Sequence, residues 1–390
     1  MENVILMVFI VSSLALTYIY LAYPFMMYVL NRTVKDKALV VERLQSIAVI
    51  VPAHNEEKVI AEKIENHLKF NYPGVLKVYI LCDSCSDSTV DISRKYSAVH
   101  SDKIEVYEVS GGKGKTNAIN EIMPFIKEDI IIFTDANVML DPSAPSNINR
   151  VLQDDDVGGV AGQLSYVNIE KEGAAASNGL YWKYEEMIKM GEAKIGSLMG
   201  ADGSIFAIRR KFYRHLPVHV LDDFSTSMGV VVQGKLFKFD ASVKAYEKGA
   251  EHDSEEFERK VRISNRSYNT YRNLRKELIS TFNLYDLLKL YSHKVLRWYS
   301  FIFLGAAFVC AVLLAGYGSL TGSVLLVGQM LFYMTAYAHH KSIINEGTKL
   351  YKISNIIFYF VMVNLASMLG IFKSLKGERI STWKKAESSR

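Results

Sequence analysis

The sequence predicts an α/β domain, Rossmann-like with a mostly parallel sheet, held between transmembrane helices. Three observations carry this reading. Short apolar runs alternate with helical patterns between residues 47 and 135, membrane-length apolar segments flank that stretch on both sides, and polar signatures follow the apolar runs. Strand, helix, strand in succession implies parallel pairing through crossovers, and ligands bind beyond the carboxyl ends of such strands. The chain has 390 residues and is 49% hydrophobic. With a mean hydropathy of +0.08, its apolar content is high for a purely soluble protein.

The apolar excess is concentrated. Residues 4–30 are nearly charge-free, longer than the roughly 20 residues a bilayer crossing needs. This segment exceeds a signal-peptide core, lacks a basic start and shows no small-residue cleavage site, so residues 1–31 read as a retained anchor. Arg32, Lys35, Lys37 and Arg43 follow it, whereas only Glu2 precedes it. Basic residues collect on the cytoplasmic side, which places the next domain, 45–280, in the cytoplasm at the cell (inner) membrane. Residues 281–297 mix Leu287, Leu288, Leu290 and Tyr291 with Lys289, Lys294 and Arg297. That pattern suits an interfacial helix, although a surface helix packed on the domain fits equally well.

The C-terminal membrane segments span 298–373. The block from about 298 to 338 is split by Gly316-Tyr317-Gly318-Ser319 into a hairpin, and 353–372 forms a third stretch. If every segment crosses, the basic tail 374–390 lies outside, against the charge rule. We therefore expect 353–372, interrupted by Asn364 and Ser367, to be re-entrant or interfacial.

Three cysteines fit a reducing compartment, and Cys82-x-x-Cys85 lacks the second pair that a four-cysteine zinc site requires. The net charge of +5 suits anionic headgroups or phosphates. No nucleic-acid motif or aromatic-basic interleaving accompanies it, so no nucleic-acid partner is expected.

Taken in order, the strand 47–51 stops at Pro52. The loop Ala53-His54-Asn55-Glu56-Glu57 then offers backbone donors, with Asn55 or Glu56 able to hold a base or ribose; capping the helix 56–68 is at least as good a use. Strand 75–81 leads to Asp83, placed to accept from a nucleobase or ribose, and a helix follows from 89 to about 96. Strand 104–109 leads to Gly111-Gly112-Lys113-Gly114-Lys115, where Lys113 can approach a phosphate although the Walker pattern is missing. A helix then runs to 126. Strand 130–133 delivers Asp135-Ala136-Asn137, hard oxygen ligands for Mg²⁺ or Mn²⁺ beside a diphosphate. Each alone is as well explained by turn chemistry. Four in order at successive strand ends carry the weight.

In that order the motifs resemble the membrane-bound, inverting family 2 glycosyltransferases of GT-A fold, which include cellulose, chitin and hyaluronan synthases. The resemblance covers roughly 47–275. It implies that Asp83, in Asp83-Ser84-Cys85-Ser86-Asp87-Ser88-Thr89, binds uracil, that Gly112-Lys113-Gly114 lies near the donor, and that Asp135 and Asn137 hold the metal. It places Gly200-Ala201-Asp202-Gly203-Ser204 and Ile208-Arg209-Arg210 along the donor and acceptor cleft. Asp222-Asp223-Phe224 resembles the family's Thr-Glu-Asp element, which makes Asp223 the general base with Asp222 beside it. Residues 256–263 occupy the place of Gln-x-x-Arg-Trp: Arg262 matches the Arg, Arg259 replaces Gln and Ile263 replaces Trp. A planar guanidinium suits a diphosphate, so Arg262 is the expected leaving-group stabiliser.

The resemblance therefore implies transfer of a sugar, with UDP the expected carrier, from a nucleoside diphosphate to a lipid-linked or growing glycan acceptor at the cytoplasmic membrane face. Tyr181-Trp182-Lys183-Tyr184-Glu185 offers aromatic faces for the acceptor path. Asn137 in place of Asp weakens the expected metal site, and Ile263 in place of Trp argues for short products rather than a processive polysaccharide synthase. A sugar nucleotidyltransferase would want a glycine-rich, basic first loop, where this chain is acidic. A non-catalytic membrane scaffold would not need the carboxylates.

Overall fold

The computed structural model describes residues 1–34, 43–109, 111, 114–167, 174–249 and 253–380, with only the backbone for 174–178. One eight-stranded sheet forms its centre, built from β1 (Ile47–Ala53), β2 (Leu76–Asp83), β3 (Ile104–Val109), β4 (Ile130–Phe133), β5 (Met139–Leu140), β6 (Val157–Tyr166), β7 (Phe206–Arg209) and β8 (Leu236–Glu247). The strand order is β3-β2-β1-β4-β7-β6-β8-β5. β3, β2, β1 and β4 are parallel, whereas β7 runs antiparallel between β4 and β6. Every residue of β1 is buried, as expected for a strand covered on both faces. Side chains alternate between two cores: Ile50, Phe133 and Phe206 pack on one face, and Val49, Ile132 and Ala207 on the other.

The helices in chain order are α1 (Glu2–Thr17), α2 (Tyr23–Thr33), α3 (Ile60–Leu68), α4 (Thr89–Val99), α5 (Lys115–Ile122), α6 (Ala144–Val151), α7 (Ala174–Lys194), α8 (Asp222–Val231), α9 (Asp253–Thr281), α10 (Leu284–Leu290), α11 (Leu296–Trp298), α12 (Ser300–Gly316), α13 (Leu320–His340) and α14 (Lys349–Leu375). The predicted mixed α/β architecture is present, with local shifts. β1 continues through Pro52, which lies past the end of β4, where β1 keeps a neighbour on one side only. The missing proline N–H is tolerable at such a position. α3 begins at Ile60 rather than at 56, after a turn over 57–59, and the Glu56 and Glu57 amides ahead of it donate to Thr89 Oγ1 (2.8 Å) and Asp87 Oδ2 (3.1 Å). Asp83 ends β2 instead of following it.

Among the described residues three helical stretches are long and apolar enough to cross a membrane: Glu2–Thr33, Leu320–His340 and Lys349–Leu375. α12 joins them only when taken with Leu284–Trp298, from which it bends by 57°. α14 differs from the other two, since 39% of its most apolar window is buried against 11% in each of them. It lies along α9. Asn265 Nδ2 donates to Gly370 O at 3.2 Å, and Ser374 Oγ donates to Asn269 Oδ1 at 2.6 Å. The N-terminal rod is tied to the domain in a similar way: Gly191 of α7 packs against the Met27 backbone, and Tyr23 donates to Glu192 Oε1 at 2.6 Å.

Candidate active site

A carboxylate cluster forms where β4, α5 and α8 converge. Leu221 is extended and its N–H donates to Thr270 Oγ1 at 2.8 Å, so α8 opens with Asp222 and Asp223 in its first turn, where the helix dipole favours anions. Gly114, at a positive φ of 86°, starts α5 and donates its N–H to Asp83 Oδ2 at 3.0 Å. Lys115 is thereby aimed inward. Its Nζ lies 2.9 Å from Asp135 Oδ1 and 2.9 Å from Asp222 Oδ2. Burial opposes that charge, yet the Asp135 and Asp222 carboxylates outweigh it and hold the ammonium above the usual lysine range.

Asp223 is buried, accepts from Phe224 N at 2.5 Å, and is pushed up to about 7, first by burial and then by the neighbouring Asp222 charge. Gly203 forms the floor below these groups: a Cβ there would sit 3.4 Å from Asp223 Oδ2, 3.4 Å from Lys115 Nζ and 3.5 Å from Asp135 Oδ2. On α9, Arg262 lies in the field of Asp135 and Asp222. Burial, then Arg259 and Arg266, lower its guanidinium to about 10, while those two carboxylates pull the other way. Arg259 lies about one turn earlier and pairs with Glu256 at 3.6 Å.

The loops at the strand ends knit together. Asn55, at a φ of 53°, accepts from Ser86 N at 2.8 Å, and His54 Nδ1 contacts Asp83 O at 2.7 Å. Ala53 and Glu56 are buried beside this junction. Lys113 lies outside the described residues. Asn137 Nδ2 donates to Glu247 Oε1 at 3.1 Å, which leaves the amide carbonyl as its donor atom toward a cation. Among the described residues no three His, Cys, Asp or Glu side chains form a metal cage. Mg²⁺ and Mn²⁺ sites at diphosphates commonly use one or two protein oxygens and complete the shell from the phosphates, so Asp135 with Asn137 fits such an ion.

A cavity of about 560 Å³ opens from this cluster. Its lining includes Asp202, Gly203 and Asp223, Trp182 and Ile263, and Tyr20 together with residues of α14. Trp182 Nε1 donates to Glu186 Oε1 at 3.1 Å, and Asp202 pairs with Lys189 Nζ at 2.7 Å. The predicted acceptor residues Trp182, Asp202 and Gly203 therefore share one cavity with Asp223. Sequence reasoning missed Lys115. The signal was present, a lysine opening a helix directly after a glycine, but the loop's more prominent Lys113 drew the assignment.

The chain is 28% identical to a beta-monoglucosyldiacylglycerol synthase of Trichormus variabilis over 150 residues, 38% of this chain and 30% of that protein. It is 27% identical to the probable glycosyltransferase YdaM of Bacillus subtilis over 181 residues, 45% of this chain and 43% of that one. The matches thus span less than half the length of these curated relatives. Among solved structures, the mannosyltransferase PcManGT of Pyrobaculum calidifontis, in complex with GDP-Man and Mn²⁺, superposes with a TM-score of 0.74 at 18% identity, covering 95% of this chain and 99% of that one; at that identity the likeness concerns the fold, which is GT-A. A family model described as glycosyltransferase like family 2 matches residues 45–262, and the chain belongs to that family.

Proposed function

We propose that the protein moves a sugar from a nucleoside diphosphate, UDP first among candidates, to an acceptor hydroxyl at the cytoplasmic membrane face, with inversion at the anomeric carbon. The observation that carries this is the buried Asp223, which lines a cavity running from the carboxylate cluster to the apolar helices. An acceptor hydroxyl is a poor nucleophile, and a carboxylate near neutrality is suited to take its proton. As the acceptor oxygen bonds to the anomeric carbon, the bond from that carbon to the diphosphate oxygen breaks. The proton goes to Asp223 and the nucleoside diphosphate leaves. A single displacement needs no enzyme nucleophile.

Arg262 and Lys115 offset the negative charge developing on the leaving group. Lys113 is assigned to phosphate from its sequence motif alone, Asp83 and the Ala53 to Glu56 loop hold the nucleoside, and Arg259 supports the same end. Asp135 and Asn137 would hold Mg²⁺ or Mn²⁺, and the ion when bound would supply positive charge to offset the diphosphate. Asn137→Asp is then expected to tighten Mn²⁺ binding in an electron paramagnetic resonance titration; an unchanged titration removes Asn137 from the shell.

The membrane reading rests on α14. Its contacts along α9 support an interfacial position. With α1–α2, α12 and α13 crossing and α14 at the interface, the parity returns the basic tail to the cytoplasm, as the charge rule requires. An impermeant thiol reagent on intact cells should label Tyr317→Cys and spare Lys341→Cys; the reverse pattern refutes this topology. The activity itself is tested by supplying a panel of nucleotide sugars with membrane lipid to purified protein. Release of nucleoside diphosphate together with a lipid product gaining one sugar mass is expected, and no release from any donor overturns the reading.

A further inference from the structure

The turn that carries Asp135 and Asn137 lies beyond the sheet ladder. The pairing of β4 with β1 and with β7 reaches Phe133 on both sides, and the Thr134 N–H extends it by a bond to Ile50 O at 3.3 Å. β5 takes up the chain again at Met139, as a two-residue strand paired with β8. Between them, Val138 N donates to Asp135 O at 3.2 Å and closes a tight turn. Lys115 meets the Asp135 carboxylate and Glu247 the Asn137 amide, but the backbone that aims those side chains needs an anchor outside the ladder.

α3 supplies that anchor. Lys63 is fully buried, and its Nζ donates to Thr134 Oγ1 at 3.0 Å and to Val138 O. One ammonium thus holds the residue before Asp135 and the residue after Asn137, both of them buried. Asn66 lies three positions on, along the same side of the helix. Its Nδ2 donates to Leu140 O at 2.8 Å and its Oδ1 accepts from Leu140 N at 2.9 Å.

A buried ammonium is costly unless its hydrogens are used, and an apolar side chain of similar length would fill the same space. What lysine adds is a compact head with several donors, able to bridge two acceptors that stand four residues apart in the chain. α3 also follows the Ala53 to Glu57 loop after a turn over 57–59, so the helix that carries Lys63 connects the nucleoside end of the proposed donor site to the metal turn.

We propose that Lys63 is a positioning residue for metal binding, which sets the placement of Asp135 and Asn137 by clamping both ends of their turn from α3. It acts through Thr134 and Val138 rather than on the ion. The inference rests on the reading of Asp135 and Asn137 as the metal-holding pair and adds the residue that holds them in place.

The test uses purified full-length protein in detergent and two measurements, neither of them turnover. Mn²⁺ is titrated in the presence of UDP and followed by electron paramagnetic resonance. Lys63→Met keeps the length of the side chain and loses its donors, and it is expected to raise the Mn²⁺ concentration at half-saturation about tenfold or more. Thr134→Val keeps the shape and removes one acceptor, and should raise it about threefold. Hydrogen exchange of the metal-free protein, read by mass spectrometry, should quicken about tenfold over residues 135–138 in Lys63→Met and less than about twofold over β1 and β2. Mn²⁺ affinity within about twofold of wild type in Lys63→Met, or exchange that quickens equally over β1, β2 and the turn, overturns the proposal, because either result makes Lys63 a core residue with no particular hold on the turn. If Lys63→Met does not fold, Thr134→Val decides by the same two measurements, and no change in either one overturns the proposal. Wild-type protein that binds no Mn²⁺ would instead overturn the metal reading itself, and the exchange measurement, made without metal, would still decide whether Lys63 holds the turn.

Discussion

In the proposed reaction Asp223 and Lys115 are the two residues whose environments decide the chemistry. Burial and the Asp222 charge raise Asp223 from 3.8 to about 7, so as a general base it becomes competent as pH rises. Turnover is expected to climb through about pH 7 and level off above it, and Asp223→Asn should lower turnover by ~100-fold or more while leaving donor affinity nearly intact. The linkage has the opposite sign for stability. Between its unfolded and folded values the folded carboxyl keeps a proton that the unfolded chain has released, so its contribution is present below about pH 4 and lost as pH rises through about 7. At pH 8 the Asp223→Asn protein should therefore unfold no earlier than wild type, and a marked destabilisation would show that the carboxylate is structural. Lys115 is the converse case: Lys115→Met leaves Asp135 and Asp222 facing each other without the ammonium that bridges them. A loss of roughly 3 kcal/mol is expected, partly recovered in Lys115→Met with Asp222→Asn, as read by thermal unfolding. Asp135 and Asp223 were legible because each sits in a short motif. Lys115 was not, because its role exists only once β4 and α8 are brought to the start of α5.

Elements were legible where periodicity is strong and less so where a tertiary partner fixes the boundary. The four parallel strands were foreseen within a few residues, since their apolar runs are bounded by Pro52, Asp83, the glycines after Val109, and Asp135. The resemblance implied a strand at 208–210, which overlaps β7 (Phe206–Arg209), but its antiparallel pairing was not foreseen, nor was the long β8, which alternates buried with more exposed positions in a part of the chain where polar motifs dominated the reading. The start of α3 moved to Ile60 because a turn over 57–59 precedes it, with the Glu56 and Glu57 amides held by side chains from 87 and 89. For α14 the hydropathy matches a span, but its polar residues Ser367 and Ser374 meet α9, with Ser367 Oγ 3.4 Å from Ser264 Oγ. The close approach is set by Gly370, where a Cβ would lie 2.6 Å from Val261 O. Gly370→Val cannot be accommodated by a flexible neighbour, because the clash is with backbone. It should separate α14 from α9, cost about 1–3 kcal/mol by thermal unfolding, and weaken lipid binding more than donor binding; equal losses in both would mean that α14 does not wall the acceptor cavity.

For the whole molecule, the question is how many sugars are added before the product leaves. Ile263 lines the cavity where processive relatives of the resembling group carry Trp, so an aromatic platform for a growing glycan is missing at that point. Such stacking is worth about 0.5–1.5 kcal/mol beyond area burial, which corresponds to about 2- to 10-fold in retention of the glycan. The membrane part points the same way, since a conduit for a polymer needs a polar lumen shielded from lipid by surrounding helices. Here α1, α12 and α13 expose large apolar side chains such as Leu14, Val309 and Met334. That pattern suits contact with lipid rather than a water-filled path. The cavity is lined both by Asp223 and by Ile356, Phe360 and Val363 of α14, which under the proposed function is a route for a lipid that enters from the side and departs after transfer. Purified protein given donor and a lipid acceptor is therefore expected to yield products one or a few sugars longer, resolved by mass. High-molecular-weight polysaccharide formed from donor alone, and degraded by a specific glycosidase, would show that the glycan is retained by contacts other than an aromatic at position 263. Ile263→Trp then offers the converse reading, with a shift toward longer products if stacking at this position governs release.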